Sequence, residues 1–192
     1  MLNRLQNLVI RVSQTWWLYL CVVLLFAGSL RSLLRIGEKF PSYAAGNQPF
    51  DLQNALTPTE VYPQLASWTE SARQLYRAFT LIDYAFPFFA GLFIAATAAF
   101  AMRVSLPTWY AALTRRNLLP VFMFGTAFDW LENIAALGVI SLYPTELRGL
   151  PIVLVLAKQL KLVCVLSAQA VTLLLLLYAA GNWLTARLRL RR

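Results

Sequence analysis

Residues 128–138 read FDWLENIAALG and residues 156–166 read LAKQLKLVCVL. Both stretches are apolar enough to cross a bilayer, yet the first carries Asp129 and Glu132 and the second Lys158 and Lys161. A charge at the centre of a bilayer costs about 3 kcal/mol on the mildest insertion scale, so such residues pair with one another or line a wet cavity. At about 100° per residue, Gly125, Asp129, Glu132, Asn133 and Ala136 share one helical face, and Lys158, Lys161, Val165, Gln169 and Thr172 share another. Two polar stripes on consecutive antiparallel helices predict pairing. Counting about 1.5 Å per residue from the helix ends sets Asp129 level with Lys161 near the midplane, and Glu132 level with Lys158 one turn farther out.

Composition agrees with a membrane location. Of 192 residues, 59% are hydrophobic and 13% charged, which lies outside the soluble globular range. The length suits a single integral membrane domain over residues 1–192. Spans are expected at about 16–36, 79–102, 118–142 and 152–180, each sufficient for a hydrocarbon core of about 30 Å. The expected fold is therefore all-α: a four-transmembrane-helix bundle with an N-terminal interfacial helix and an extracytoplasmic loop helix.

Leu2, Leu5, Leu8, Val9 and Val12 recur at helical spacing with Arg4, Asn7 and Arg11 between them, the pattern of a helix lying in the interface. The first span starts at the interfacial pair Trp16 and Trp17 and reaches Ile36, with Arg31 and Arg35 snorkelling. The same region has features of a secretory leader: Arg4 and Arg11, then an apolar run to Phe26, then Ala27-Gly28-Ser29. The apolar pattern resumes at Leu33 and Leu34, so a retained span is the preferred reading. The polar stretch 37–78 is too long for a bare turn. Within it, Thr57-Pro58-Thr59-Glu60 has the form of a helix start. Leu65, Trp68, Ala72, Leu75 and Phe79 continue a helical spacing past an interruption at Pro63, so the loop helix is expected over about 58–78.

The 17 Lys and Arg against 8 acids give a net charge of +9. These charges are spread along the chain, and the densest cluster is the tail Arg187, Arg189, Arg191 and Arg192. A basic tail after a span reads as an anionic-lipid contact and topology signal, and nucleic acid is not an expected partner. Arg4, Arg11, Arg103, Arg115, Arg116 and the tail fall on one side, outnumbering Arg31, Arg35, Lys39, Arg73, Arg77 and Arg148 on the other. The positive-inside rule then puts both termini in the cytoplasm, in a bacterial inner membrane. With no histidine in the chain, imidazole metal ligands, histidine bases and Ser-His or Cys-His dyads are excluded. No metal or cofactor is expected. Cys21 and Cys164 sit in apolar runs, where a free thiol acts as a small packing residue.

Asp83 precedes Pro87 by four residues, so proline removes the hydrogen bond that would use the Asp83 carbonyl. That position pairs a carboxylate with a freed acceptor, an arrangement suited to a cation, a protonated amine or a water. Asp83, Asp129 and Glu132 face two ammonium groups, leaving one carboxyl free to hold a proton. Phe86, Phe88, Phe89, Phe93, Phe122, Phe124, Phe128 and Trp130 lie close to the acids in sequence. They serve as packing residues or as the walls of an amine-binding box.

Phe50-Asp51-Leu52-Gln53, Tyr62-Pro63, and Asp83 followed by Phe86-Pro87-Phe88-Phe89 resemble the EXPERA group, the sigma-2 receptor and emopamil-binding proteins. The resemblance implies four membrane helices around a pocket for sterol-like or amine ligands, with Asp51 and Asp83 as its two acids. The histidine of the isomerase members has no counterpart here. The same pattern followed by Asp129-Trp130-Leu131-Glu132-Asn133 also resembles small bacterial four-helix membrane proteins of unassigned function.

The expected role is binding of a lipid-like or amine-bearing small molecule at Asp51, Asp83, Asp129, Glu132, Asn133, Lys158, Lys161 and Gln169. Two alternatives stand beside it. One is an intramembrane acid-base enzyme acting on a lipid. The other is a structural or accessory subunit, as a homodimer or in a larger complex, whose charges serve only to hold helices together.

Overall fold

The computed structural model of the chain describes residues 2–189, and Arg191 and Arg192 of the basic tail lie outside that range. The described residues are helical, without strands. In chain order the helices are α1 (Leu2–Gln14), α2 (Trp16–Lys39), α3 (Val61–Ser67), α4 (Glu70–Asp83), α5 (Phe86–Ser105), α6 (Pro107–Arg115), α7 (Phe124–Leu142) and α8 (Gly149–Arg189). Short 3-10 turns at Phe40–Ser42, Phe50–Leu52 and Leu119–Met123 join them. Three helical stretches are long and apolar enough to cross a membrane: Trp16–Ser42, Glu70–Ser105 and Gly149–Leu188.

α1 forms where the 3,4 spacing placed it. Its apolar side does not lie free: Val9 and Val12 are buried in one core with Leu92, Ala95, Ala99, Leu119 and Met123. Gln6 secures it, donating to the Thr114 carbonyl at 2.7 Å and to Asn117 Oδ1 at 2.8 Å. α5 is the central helix. Its run of Ala95, Ala96, Ala98, Ala99 and Ala101 is fully buried, because small side chains let neighbouring backbones approach.

The helix expected over about 58–78 is two helices. Pro63 is the third residue of α3, in the first turn, where a missing N–H costs nothing. The break comes instead at Trp68, which turns extended and packs on Phe50 at 4.6 Å and Phe40 at 4.9 Å. Thr69 then caps α4, its Oγ1 accepting from the Ala72 N–H at 3.1 Å. The helix start expected at Pro58 falls at Val61. Glu60 closes the turn before it, accepting from the Thr57 N–H at 2.8 Å and the Thr57 hydroxyl at 2.7 Å.

The chain from Phe79 to Met102 is likewise interrupted, at Tyr84 and Ala85 between α4 and α5. A second core lies on the far side of that interruption. It joins Phe40, Phe50, Leu65, Trp68 and Tyr76 to Ala136, Val139 and Leu154, from the later turns of α7 and the first turns of α8. The fold is thus two stacked cores: one built on α1, α2 and α5, the other a cap of α3, α4 and the loop. α7 and α8 run between them.

Candidate functional site

The α7–α8 seam is set by a close backbone approach. A Cβ at Gly125 would lie 2.5 Å from Val165 Cγ2, so glycine permits the contact. With that register, Lys161 Nζ stands 3.4 Å from Asp129 Oδ2 and 2.5 Å from Glu132 Oε2, and Lys158 Nζ stands 3.4 Å from Glu132 Oε1. The pairs Asp129 with Lys161 and Glu132 with Lys158 are those the residue spacing implies. The third contact, Lys161 to Glu132, makes the four residues one network.

Three side chains of α7 satisfy carbonyls at the α4–α5 break. Asn133 Nδ2 donates to the Asp83 carbonyl at 3.3 Å, Trp130 Nε1 to the Tyr84 carbonyl at 2.9 Å, and Thr126 Oγ1 to the Pro87 carbonyl at 2.7 Å. Asp129 therefore sits beside the first turn of α5, not beside its middle. The ion network lies between the two cores. The Asp83 carbonyl, expected to be a free acceptor, is occupied by Asn133.

Lys158 has a role that residue spacing did not reveal. Its ammonium donates to the Phe50 carbonyl, and to the Gln53 carbonyl at 3.1 Å. Besides these two bonds it stands as an ion pair 3.4 Å from Glu132 Oε1. The 3-10 turn Phe50–Leu52 is thereby tied to α8. Between the two carbonyls, Asp51 Oδ2 accepts from the Tyr76 hydroxyl at 2.5 Å. Reciprocal amide bonds between Gln53 and Gln64, 2.9 and 3.0 Å, close the loop. Asp51 thus reaches the buried cap core and not an open pocket.

Burial divides the expected site residues. Glu132 and Asn133 are 0% exposed and Lys158 is 2% exposed. Asp83 is also buried, and among the described residues it forms no ion pair. The cavity nearest the cluster is a crevice of about 330 Å³ between α2, α5, α7 and α8. Of the eight expected residues, its wall contains Asp129 and Gln169. Asp51, Asp83, Glu132, Asn133, Lys158 and Lys161 stand outside it. The remaining polar lining is Thr97, Thr126 and Thr172, and the apolar lining includes Phe26, Phe86, Phe93 and Phe122. Three of the expected aromatic residues are in that wall. Phe26 was not anticipated: it stacks on Phe86 at 5.6 Å and on Phe93 at 5.9 Å, across helices that sequence spacing does not relate. Thr172 was legible as the end of the α8 polar stripe, which continues from the ion network down into the crevice.

Among the described residues no group of His, Cys, Asp and Glu has metal-binding geometry. Comparison with protein-family models finds no match, and neither the curated proteins nor the solved structures yield one.

Proposed function

We propose that the chain is an integral membrane protein of four spans that holds a lipid-like molecule in the crevice beside Asp129. The observation that carries this reading is the crevice itself: about 330 Å³, within the range of small-molecule sites, with apolar walls and one carboxylate. The apolar body of the ligand lies against Phe26, Phe86 and Phe93, and Asp129, paired with Lys161, closes the upper end.

The four spans are α2, α5, the segment 118–142 and the inner part of α8. The 20 residues of α5 make about 30 Å, one hydrocarbon core. From Lys161 to Trp183 α8 covers a similar thickness, about 33 Å. From Leu118 to Asp129 the segment 118–142 spans about 20 Å through the Leu119–Met123 turn and the start of α7, and local thinning of the bilayer accommodates that shorter crossing. Its polar residues 129, 132 and 133 then fall at the outer boundary, where they cost least. The cap of α3, α4 and the 40–68 loop stands outside the bilayer, and both termini are cytoplasmic, as the arginine distribution favours.

A second reading, a structural or accessory subunit, is favoured by the sealing of Glu132, Lys158 and Lys161. Lipids and small molecules copurifying in mild detergent, identified by mass spectrometry, separate the two. The crevice reading expects one enriched compound that is lost in Ala90→Phe, which fills the crevice from α5, at matched folded yield. Folded wild-type protein with no enriched compound would establish the structural reading instead.

A further inference from the structure

A second cavity, of about 530 Å³, lies below the crevice along the same side of α5. The two share Phe93, Thr97 and Leu176 as wall, so they adjoin end to end as a groove along the α2–α5–α8 seam, with Tyr19 of α2 bonded to Thr97 at 2.8 Å beside the joint. Its far end is lined by Arg103, with Trp16 beside it. From Pro87, at the level of Asp129, to Arg103 is about 24 Å along α5. One leaflet of hydrocarbon is about 15 Å deep, so the groove extends well past a single leaflet.

The charges at the two ends are not equivalent. Asp129 is compensated by Lys161 at 3.4 Å. Arg103 forms no ion pair among the described residues. Its guanidinium donates to the Ser13 carbonyl at 3.2 Å and lies 5.8 Å from the Phe100 ring centroid, and it keeps donors free for an anion. The unneutralised charge on the groove is positive and stands at the end where α1 meets α2, beside an interfacial tryptophan.

We infer that the groove takes a single-chain amphiphile with an anionic head at Arg103, its chain extending up the seam past Thr97 and Leu176 to the crevice. This rests on the crevice being a lipid site and adds to it the class and orientation of the lipid. The head binds by charge-assisted hydrogen bonds to the guanidinium, and the chain packs on apolar walls from α2, α5 and α8.

The test is titration of the detergent-solubilised protein with lysophosphatidylglycerol and lysophosphatidylcholine, each with a palmitoyl or an octanoyl chain, followed by native mass spectrometry. In the wild type the palmitoyl anionic lipid binds about tenfold or more tightly than its choline counterpart, and more tightly than the octanoyl form. Arg103→Gln removes the preference between heads and leaves the preference for chain length. Leu176→Trp, at the joint of the two cavities, removes the advantage of the long chain and leaves the head preference. Equal binding of the two heads by wild type, or a chain-length advantage that survives Leu176→Trp, overturns the inference. So does tighter binding of an alkyltrimethylammonium of matched length, which would place an amine at Asp129. If these fail while Ala90→Phe still loses the copurifying compound, the crevice reading stands without the anionic orientation; if that loss is also absent, both readings fall.

Discussion

Glu132 holds both ammonium groups of the ion network, at 3.4 Å from Lys158 and 2.5 Å from Lys161, and its side chain is shut off from solvent. Removing one member of a buried pair leaves the other charge uncompensated, at a cost of about 3–5 kcal/mol. Glu132→Gln should therefore lower the unfolding free energy in detergent by about that amount. Asp129→Asn should cost clearly less, because Lys161 retains Glu132. Thermal unfolding followed by circular dichroism checks the order, and equal losses would show that the three contacts are not shared as described. The pairing itself was legible in the residues, since helical phase and antiparallel direction set which acid faces which lysine. The bonds from Lys158 to the Phe50 and Gln53 carbonyls were not, because the partners lie 108 and 105 positions away in the chain and no periodicity relates a loop carbonyl to a helix face.

Among the elements, α7 and α8 are locked where Gly125 faces Val165. Any side chain at Gly125 collides with Val165 Cγ2, so Gly125→Leu should destabilise the protein by about 1–3 kcal/mol through overpacking. Val165→Ala in the same chain should restore part of that, and a double variant no better than the single would count against the contact. The turn preceding α3 titrates. Bonds from the Thr57 hydroxyl first, and its N–H second, hold the Glu60 carboxyl below the usual carboxylate range. Its folded value is depressed, so the contribution is complete above the unfolded value of about 4.5 and is lost as pH falls through the lower folded value. The protection factor of the Thr57 amide, its exchange rate relative to the intrinsic rate at each pH, should therefore hold steady near neutrality and fall only in acid, whereas a fall between pH 6 and 8 would contradict the assignment. The α4–α5 interruption was only half legible. Pro87 announces a kink, but not that Tyr84 and Ala85, still helical in their backbone angles, form a tightened turn there, where Trp130 and Asn133 of α7 bond the carbonyls of Tyr84 and Asp83.

For the whole molecule, the proposed topology puts the cap outside and α6 inside. In a Cys21→Ala, Cys164→Ala background, Thr59→Cys should react with an impermeant maleimide on intact cells. Ala111→Cys should react only after permeabilisation. The opposite pattern would invert the molecule, and reaction of both from outside would remove a crossing.

Local chemistry alone determined that this chain is helical and apolar enough for a membrane. It also determined that α1 is amphipathic and that the acids of α7 and the lysines of α8 each share a face, because these follow from periods of three to four residues. Tertiary structure decided the rest. The cap loop lands on Lys158, the ion network sits at the junction of two cores and not in the middle of one, and a crevice opens at Asp129 between α2, α5, α7 and α8. Each of these depends on how far apart helices stand and which turns they bring level. Such distances come from packing between segments remote in sequence, and no single segment encodes them.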